Sequence, residues 1–379
     1  MKVTFIIITK DRPRMIKHLI NSILKARLDS FALVFIDDSD FNNFLQTKDF
    51  LQSRSILFKQ LSSLQARRHV EKTLEKTNLT FNEKRFIKNC TGLYPPFCGY
   101  VERFFERGEM KSGSPSVSLW FAPYSPARNL GIYCAVRFFN PDIIFFLDDD
   151  CLILYPEKLG SQLRLIETEL NQRRIVAVAG LYEDLLICKQ KKTSEHQISK
   201  KALRILRGMD AFLKKSFVAG KARFEIMPPH MLGGALILSK KIFYVLPFDP
   251  CVARGEDHAY ALDLKSFLGK NEIGIRDNHF IVGHQRENSQ KHIYIDVLRD
   301  IFRFVYSHAK TGRSFITLFI VRWAFTSLIN LSLNPSNHKQ YKNELWALLF
   351  VAPKFAKENA CKFRQNIKAW ESFLVQLKI

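Results

Sequence analysis

Three consecutive carboxylates, Asp148, Asp149 and Asp150, close a short apolar run, Ile143-Ile144-Phe145-Phe146-Leu147. Adjacent carboxylates repel one another, so such a cluster favours a site that holds a cation. The run before it is β-branched and aromatic and follows Asn140-Pro141-Asp142, which predicts a strand covered on both faces. The end of such a strand is where an open α/β sheet places its ligands. An acidic surface turn is the plainer reading. Two further acidic clusters stand at predicted element ends: Asp37-Asp38 after an apolar run at 31–36, and Glu256-Asp257 after Gly255. Hard divalent cations such as Mg²⁺ or Mn²⁺ take oxygen ligands and often bridge substrate phosphates. On a diphosphate, the cation neutralises the charge of the leaving group and orients it. An acceptor hydroxyl, with its high pKa, needs a carboxylate placed to take its proton. One acidic set for a metal and another for a base meets both needs.

The elements that must position these groups can be read in chain order. Residues 2–9 (KVTFIIIT) predict a strand, and Lys10-Asp11-Arg12-Pro13 opens a helix with Pro13 in its first turn and Asp11 as candidate N-cap. Met15, Ile16, Leu19, Ile20, Ile23 and Leu24 recur at helical spacing. With the run at 31–36 this makes a β-α-β unit. Residues 41–120 carry 13 basic and 7 acidic side chains and irregular helical periodicity; they read as an insertion, a lid or acceptor loop or a structural elaboration. Segments 94–100 and 112–116 read as loops. A helix is expected at 156–172, a strand at 175–179, a strand with a glycine lead-in at 233–238, a helix from about 256, and a last strand at 274–282 with His284 just beyond it. A second insertion at 185–224 has eleven basic residues against two acidic, either a solvated face or an anion contact.

Composition bounds the rest. With 379 residues, 47% hydrophobic content and 33 Phe, the chain can bury a large core. A net charge of +22 points to an anionic partner: a nucleotide-linked substrate, an acidic membrane surface or nucleic acid. Seven scattered cysteines without a C-x-x-C pair read as reduced thiols, and no secretory leader is evident at the N-terminus, so a cytoplasmic protein is expected. Residues 315–333 are apolar, but Arg322, Thr326 and Asn330 form a polar stripe. A central Arg costs about 2.5–3.5 kcal/mol on insertion, so the stretch reads as a packed or interfacial helix and not as a span. Phe363, Ile367, Trp370, Leu374 and Leu377 outline another amphipathic helix. From residue 301 onward there are 12 basic and 3 acidic residues. These helices either cap the domain or attach it peripherally to an anionic membrane on its inner face.

The order of motifs resembles that of inverting glycosyltransferases of the GT-A fold, close to the large family 2 group. FIIITKDRP resembles the family's first strand and loop, VFIDDSD its second strand end, SPARNLGIYCAV with IIFFLDDDC its A-R-N-x-G helix and D-x-D strand, and GGALILSK with RGED its acceptor-side strand and E-D motif. The resemblance spans roughly residues 3–285. It implies an α/β, doubly wound, mostly parallel Rossmann-like sheet over 1–300 with a C-terminal helical region over 301–379. It also implies transfer of one sugar from a UDP- or GDP-linked donor to a glycan, lipid-linked or small-molecule acceptor, with Mn²⁺ or Mg²⁺ as cofactor. Residue by residue, it implies that Asp37 or Asp38 contacts the base, with Thr9 and Arg12 in the nucleotide pocket. Arg128 and Asn129 sit beside the nucleotide or organise that pocket. Asp148 contacts the ribose and joins Asp150 and His284 at the metal, and Asp149 goes with the donor contacts without a defined role. Asp257 is the implied base, with Glu256 orienting the acceptor or replacing it. The absence of a Q-x-x-R-W motif disfavours a processive synthase. Two other classes compete. A nucleotidyltransferase is expected to carry a glycine-rich loop after the first strand, where this chain has Thr9-Lys10-Asp11-Arg12-Pro13. A non-enzymatic membrane or nucleic-acid binder explains the basic charge but not three acidic clusters, and no nucleic-acid module is evident.

Overall fold

The β-branched and aromatic runs fold as strands at the centre of an α/β sheet, in a computed structural model that describes residues 1–93, 124–172, 175–185, 222–226, 233–252, 255–267, 273–285, 306–307, 309–311 and 352–377. Strands β1 (Val3–Thr9), β2 (Phe31–Asp37), β3 (Phe58–Leu61) and β4 (Ile143–Asp148) are mutually parallel, with β1 between β2 and β4. Beyond β4 the sheet continues through β8 (Leu236–Ser239), antiparallel to both neighbours, then β6 (Ile175–Leu185) and β9 (Ile273–Gln285). β9 also pairs antiparallel with two short strands, β5 (Cys151–Ile153) and β7 (Phe224–Ile226). The order β3-β2-β1-β4-β8-β6-β9-β5 is the mostly parallel, doubly wound arrangement that the motif resemblance implies.

Alternation along each strand sends side chains to two separate cores. Phe5, Ile7, Phe145 and Leu147 face α1 (Pro13–Lys25) and α6 (Pro156–Gln172), which bury Ile16, Leu19, Ile20, Leu159, Leu163 and Ile166. Ile6, Ile144 and Phe146 face the opposite core, built by α3 (Ser63–Glu75), α4 (Phe81–Cys90) and α5 (Tyr124–Phe139). Each of these apolar helical stripes supplies the face a two-sided sheet requires.

Several expectations change. The segment from residue 41 extends the sheet itself in its described part: α2 (Phe41–Ser53) leads into β3, which pairs with β2. Asp11 does not cap α1. The N-cap is Arg12, while Asp11 takes a left-handed φ of 55° and its carboxylate accepts from the Asp40 amide. Gly233–Ala235 forms a 3-10 turn ahead of β8, not strand. β9 runs on to Gln285, so His284 is a strand residue paired with Cys151. The loops at 94–100 and 112–116, the basic run over 186–221 and the apolar stretch at 315–333 lie outside the described residues.

The C-terminal helix α8 (Ala352–Gln376) places Phe363, Trp370, Phe373 and Leu374 in the same core as α3, α4 and α5. The Trp370 indole donates to the Phe243 carbonyl, and Arg137 donates to the Leu377 carbonyl. The apolar face of α8 is therefore occupied by the protein's own core. Among the described residues, no helix is long and apolar enough to cross a membrane. Under α8 and α7 (Glu256–Phe267) lies a buried ion triad: Lys310 donates to Asp249 (2.6 Å) and to Asp263 (2.8 Å). Tyr306 adds a bond to Asp249 and Asn359 of α8 donates to Tyr306.

Removing one partner of a buried ion cluster leaves an uncompensated charge, so Lys310→Met is expected to destabilise the fold by about 3–5 kcal/mol in denaturant titration. Burial, opposed by Lys310 and reinforced by Asp249, raises the Asp263 carboxyl to about 6. The folded state then binds more protons than the unfolded chain between about pH 4 and that value, so Asp263 ionisation removes stability as pH rises through this window. Asp263→Asn should flatten stability against pH there; an unchanged slope would assign it to other groups.

Candidate active site

Strand register brings the acidic clusters to one edge of the sheet. Thr9 lies opposite Asp37 on β2, and Ile8 opposite Asp148 on β4, so the carboxyl ends of three adjacent strands are level. This is the edge at which open α/β sheets bind ligands.

The three aspartates divide. Asp149 turns back into the protein, where its carboxylate accepts from the Thr9 hydroxyl (2.8 Å) and from Arg12 (2.7 Å). Burial, against the pull of Arg12, raises this carboxyl to about 6. Thr9 and Arg12, expected in the nucleotide pocket, thus act first as the latch that fixes the triplet's backbone. Asp148 and Asp150 turn the other way. Asp148 accepts from Arg128 on one oxygen (3.1 Å) and from Tyr182 on the other (2.9 Å). Desolvation by the surrounding protein raises its pKa, against the pull of Arg128. Asp150 has one oxygen 3.4 Å from Arg12 and 3.5 Å from His284 Nε2, while its other oxygen is buried with no hydrogen-bond partner. The His284 ring stacks on Tyr182, with centroids 5.1 Å apart.

Arg128 joins this group to the second acidic set. From α5 its Nε donates to Glu256 (2.8 Å), one terminal nitrogen to the Gly233 carbonyl (3.2 Å) and the other to Asp148. Its guanidinium also lies over Phe146 and Phe248, with 5.3 and 5.7 Å to the ring centroids. The carboxylates hold Arg128 above its ordinary pKa despite the burial. Glu256 and Asp257 open α7, where a helix N-terminus favours negative charge. Asp257 accepts from the Gly233 amide (3.0 Å) and from the His258 amide, and it is partly exposed. Glu256 is the buried member of the pair, committed to Arg128.

The remaining expected residues serve mainly as scaffold. Asn129 is fully buried, donates to the Cys90 and Phe248 carbonyls and accepts from the Phe248 amide; it ties α5 to the end of α4 and to the loop at Phe248 and makes no part of the cleft surface. Asp37 is likewise buried and accepts from Ser39 and Gln60. Asp38 is exposed, and its carboxylate accepts from the Ser63 amide and hydroxyl at the start of α3. Of the two residues expected at the base, Asp38 is the one a ligand can reach.

One contributor escaped the sequence reading, and the expected glycine lead-in at 233–234 answers to the site itself. Tyr182 supports both Asp148 and His284; it stands in the part of β6 beyond residue 179, where the apolar run gives way to Glu183 and Asp184. The pair Gly233-Gly234 is required by close approach. A Cβ on Gly234 would fall 2.1 Å from the Tyr182 hydroxyl and 2.6 Å from an Asp148 oxygen, and one on Gly233 would fall 2.3 Å from Arg128.

No family model matches the chain, and no curated protein matches it. Among solved structures, the chain is similar to one of S. aureus TarS residues 1–349, with a TM-score of 0.46 and 10% identity over 100% of this chain and 91% of that one. A second S. aureus TarS structure gives a TM-score of 0.43 and 14% identity over 98% of this chain and 55% of that one. Likeness at this level carries nothing for the site, whose reading rests on the residues themselves.

Those residues fit a hard divalent cation. Asp148, Asp150 and Cys151 bring potential ligand atoms within 4.8 Å of one another, and the orphaned oxygen of Asp150 lacks the partner that a buried carboxylate requires. Burial and the neighbouring carboxylates hold the Cys151 thiol neutral, well above its ordinary pKa, which leaves the carboxylate oxygens and the imidazole of His284 as ligands.

The glycine requirement gives a direct test. Gly234→Ala must displace the Asp148 carboxylate or Tyr182, at about 1–3 kcal/mol of overpacking. Gly160, inside α6, has its nearest atom at 3.6 Å, so Gly160→Ala should be neutral or stabilise by up to about 1 kcal/mol. Thermal denaturation of both variants separates the two outcomes; equal melting temperatures would remove the close-approach argument.

Proposed function

We propose that the chain is a glycosyltransferase that moves one sugar from a nucleotide-diphosphate donor to an acceptor hydroxyl, with inversion and with Mg²⁺ or Mn²⁺ as cofactor. The observation that carries this reading is the joining of two carboxylate sets through Arg128: Asp148 on one side, Glu256 and its neighbour Asp257 on the other. One set suits a cation on a diphosphate, the other a base, and both stand at the ligand-binding edge of the sheet.

In this reading Asp150, Asp148 and His284 hold the cation, which when bound neutralises charge on the departing diphosphate. Asp257 takes the proton from the acceptor hydroxyl as the new bond forms. It suits that role better than Glu256 because Glu256 is spent on Arg128, whereas Asp257 is oriented by two backbone amides and keeps access to the cleft. Arg128 holds the two sets at fixed separation, which keeps the base oriented before substrate arrives. Asp38 stands at the rim for the nucleotide base. The loop after β1 offers no glycine-rich phosphate cradle, and its Arg12 is engaged with Asp149, which tells against a nucleotidyltransferase. The division into a catalytic unit over 1–300 and a helical unit over 301–379 is proposed with α8 as a cap on the sheet domain. The donor's sugar and base are set by pocket detail beyond this reading.

Asp150→Asn should abolish metal-dependent binding of uridine or guanosine diphosphate, measured by calorimetry with and without Mn²⁺. Asp257→Asn should keep that binding and lose at least about 100-fold in transfer, the lower range for a general base. Transfer by Asp257→Asn at the parent rate would remove the base assignment.

A further inference from the structure

A second recess lies on the flank of α6. It is a groove of about 560 Å³, a volume within the range of small-ligand sites. Tyr155 and Lys158 at the start of α6 form one wall; Arg223, Asn278, His279 and Ile281 form the other. Strand β5 separates it from the carboxylate cleft: Cys151 at the cleft end pairs with His284, and Ile153 toward the groove pairs with Val282.

Three observations describe what the groove takes. Among the described residues its lining carries Lys158, Arg223 and His279 and no carboxylate. Arg223 is oriented by buried Asp277, 3.4 Å away, and by Phe224 beneath its guanidinium, while its Nε is buried and unpaired. The first turn of α6 adds partial positive charge from its amides. Asn278 is 4% exposed; its amide nitrogen donates to the Ala222 carbonyl, and its Oδ1 is buried without a partner. An unmet buried acceptor costs about 1–3 kcal/mol, which a ligand hydroxyl relieves. Tyr155 presents a ring that is 42% exposed, with the Lys158 ammonium 5.1 Å from its centroid.

We propose that this groove binds an acidic saccharide. The anionic group, a phosphate or a carboxylate, sits against Arg223 and Lys158, the sugar ring lies on Tyr155, and a ring hydroxyl donates to Asn278 Oδ1. The anion supplies a counter-charge for Lys158 and a second one for Arg223 beside Asp277, and the hydroxyl supplies the donor that Asn278 lacks. This site is independent of the glycosyl-transfer reading, since neither set of residues needs the other.

The test is calorimetry on the full chain with glucose 6-phosphate, glucuronate, glucose and inorganic phosphate, repeated with the cleft saturated by uridine diphosphate and Mn²⁺. At least one acidic sugar should bind about tenfold or more tightly than glucose or phosphate alone, and the tighter of the two identifies the anion. Arg223→Ala and, separately, Lys158→Ala should each weaken that binding about tenfold, Lys158→Ala at unchanged melting temperature. Saturation of the cleft should leave it unaltered. Failure of both acidic sugars to bind, phosphate binding as well as they do, indifference to both substitutions, or displacement by uridine diphosphate would each overturn the proposal. None of these results bears on Asp150 or Asp257.

Discussion

A guanidinium buried between two acidic groups must have its donors met, and Arg128 meets them with Asp148, Glu256 and the Gly233 carbonyl. Those partners come from the end of β4, the start of α7 and the turn before β8, which are far apart in sequence. A planar fork with fixed donor directions leaves little freedom in how these elements meet. The absence of a side chain at residues 233 and 234 follows from the same demand, because the fork and the Asp148 carboxylate occupy the space a Cβ would take. Both sets of carboxylates are thus held before any ligand arrives.

The sheet supplies the platform on which this works. Parallel pairing of β1 with β2 and β4 levels their carboxyl ends, and cores on both faces fix the register by side-chain alternation. At the edge thus formed, Asp149 is spent on Thr9 and Arg12, which leaves its two neighbours turned toward His284 and Arg128. The middle carboxylate of the triplet is an anchor, and its partners in the loop after β1 share that work.

Much of the fold was legible from periodicity. The apolar runs of β1, β2 and β4, the stripe of α1, the extent of α6 and the start of α7 at Glu256 all follow local patterns that pairing and packing reinforce. The stripe of Phe363, Trp370 and Leu374 was legible too, but not what would cover it, since a stripe looks the same against a core or a lipid. Strands β3 and β5 were hidden because four and three residues are too few to show alternation. Within the candidate site, residue types were legible and pairings were not. Asn129 and Asp37 look like cleft residues in sequence, and only the contacts with Phe248 and Gln60 show them as struts. Tyr182 was missed for the same reason: its partners lie 34 and 102 positions away.

In helix α5, Arg128 lies beside the acidic cleft and Arg137, nine residues later, holds the carbonyl of Leu377. At about 1.5 Å per residue, roughly 14 Å of helix separates the two. Leu377 therefore sits at the end of the sheet remote from the carboxylates. Immobilising the protein at the Leu377 end of α8, on a sensor surface or a resin, leaves the mouth of the cleft pointing into solution.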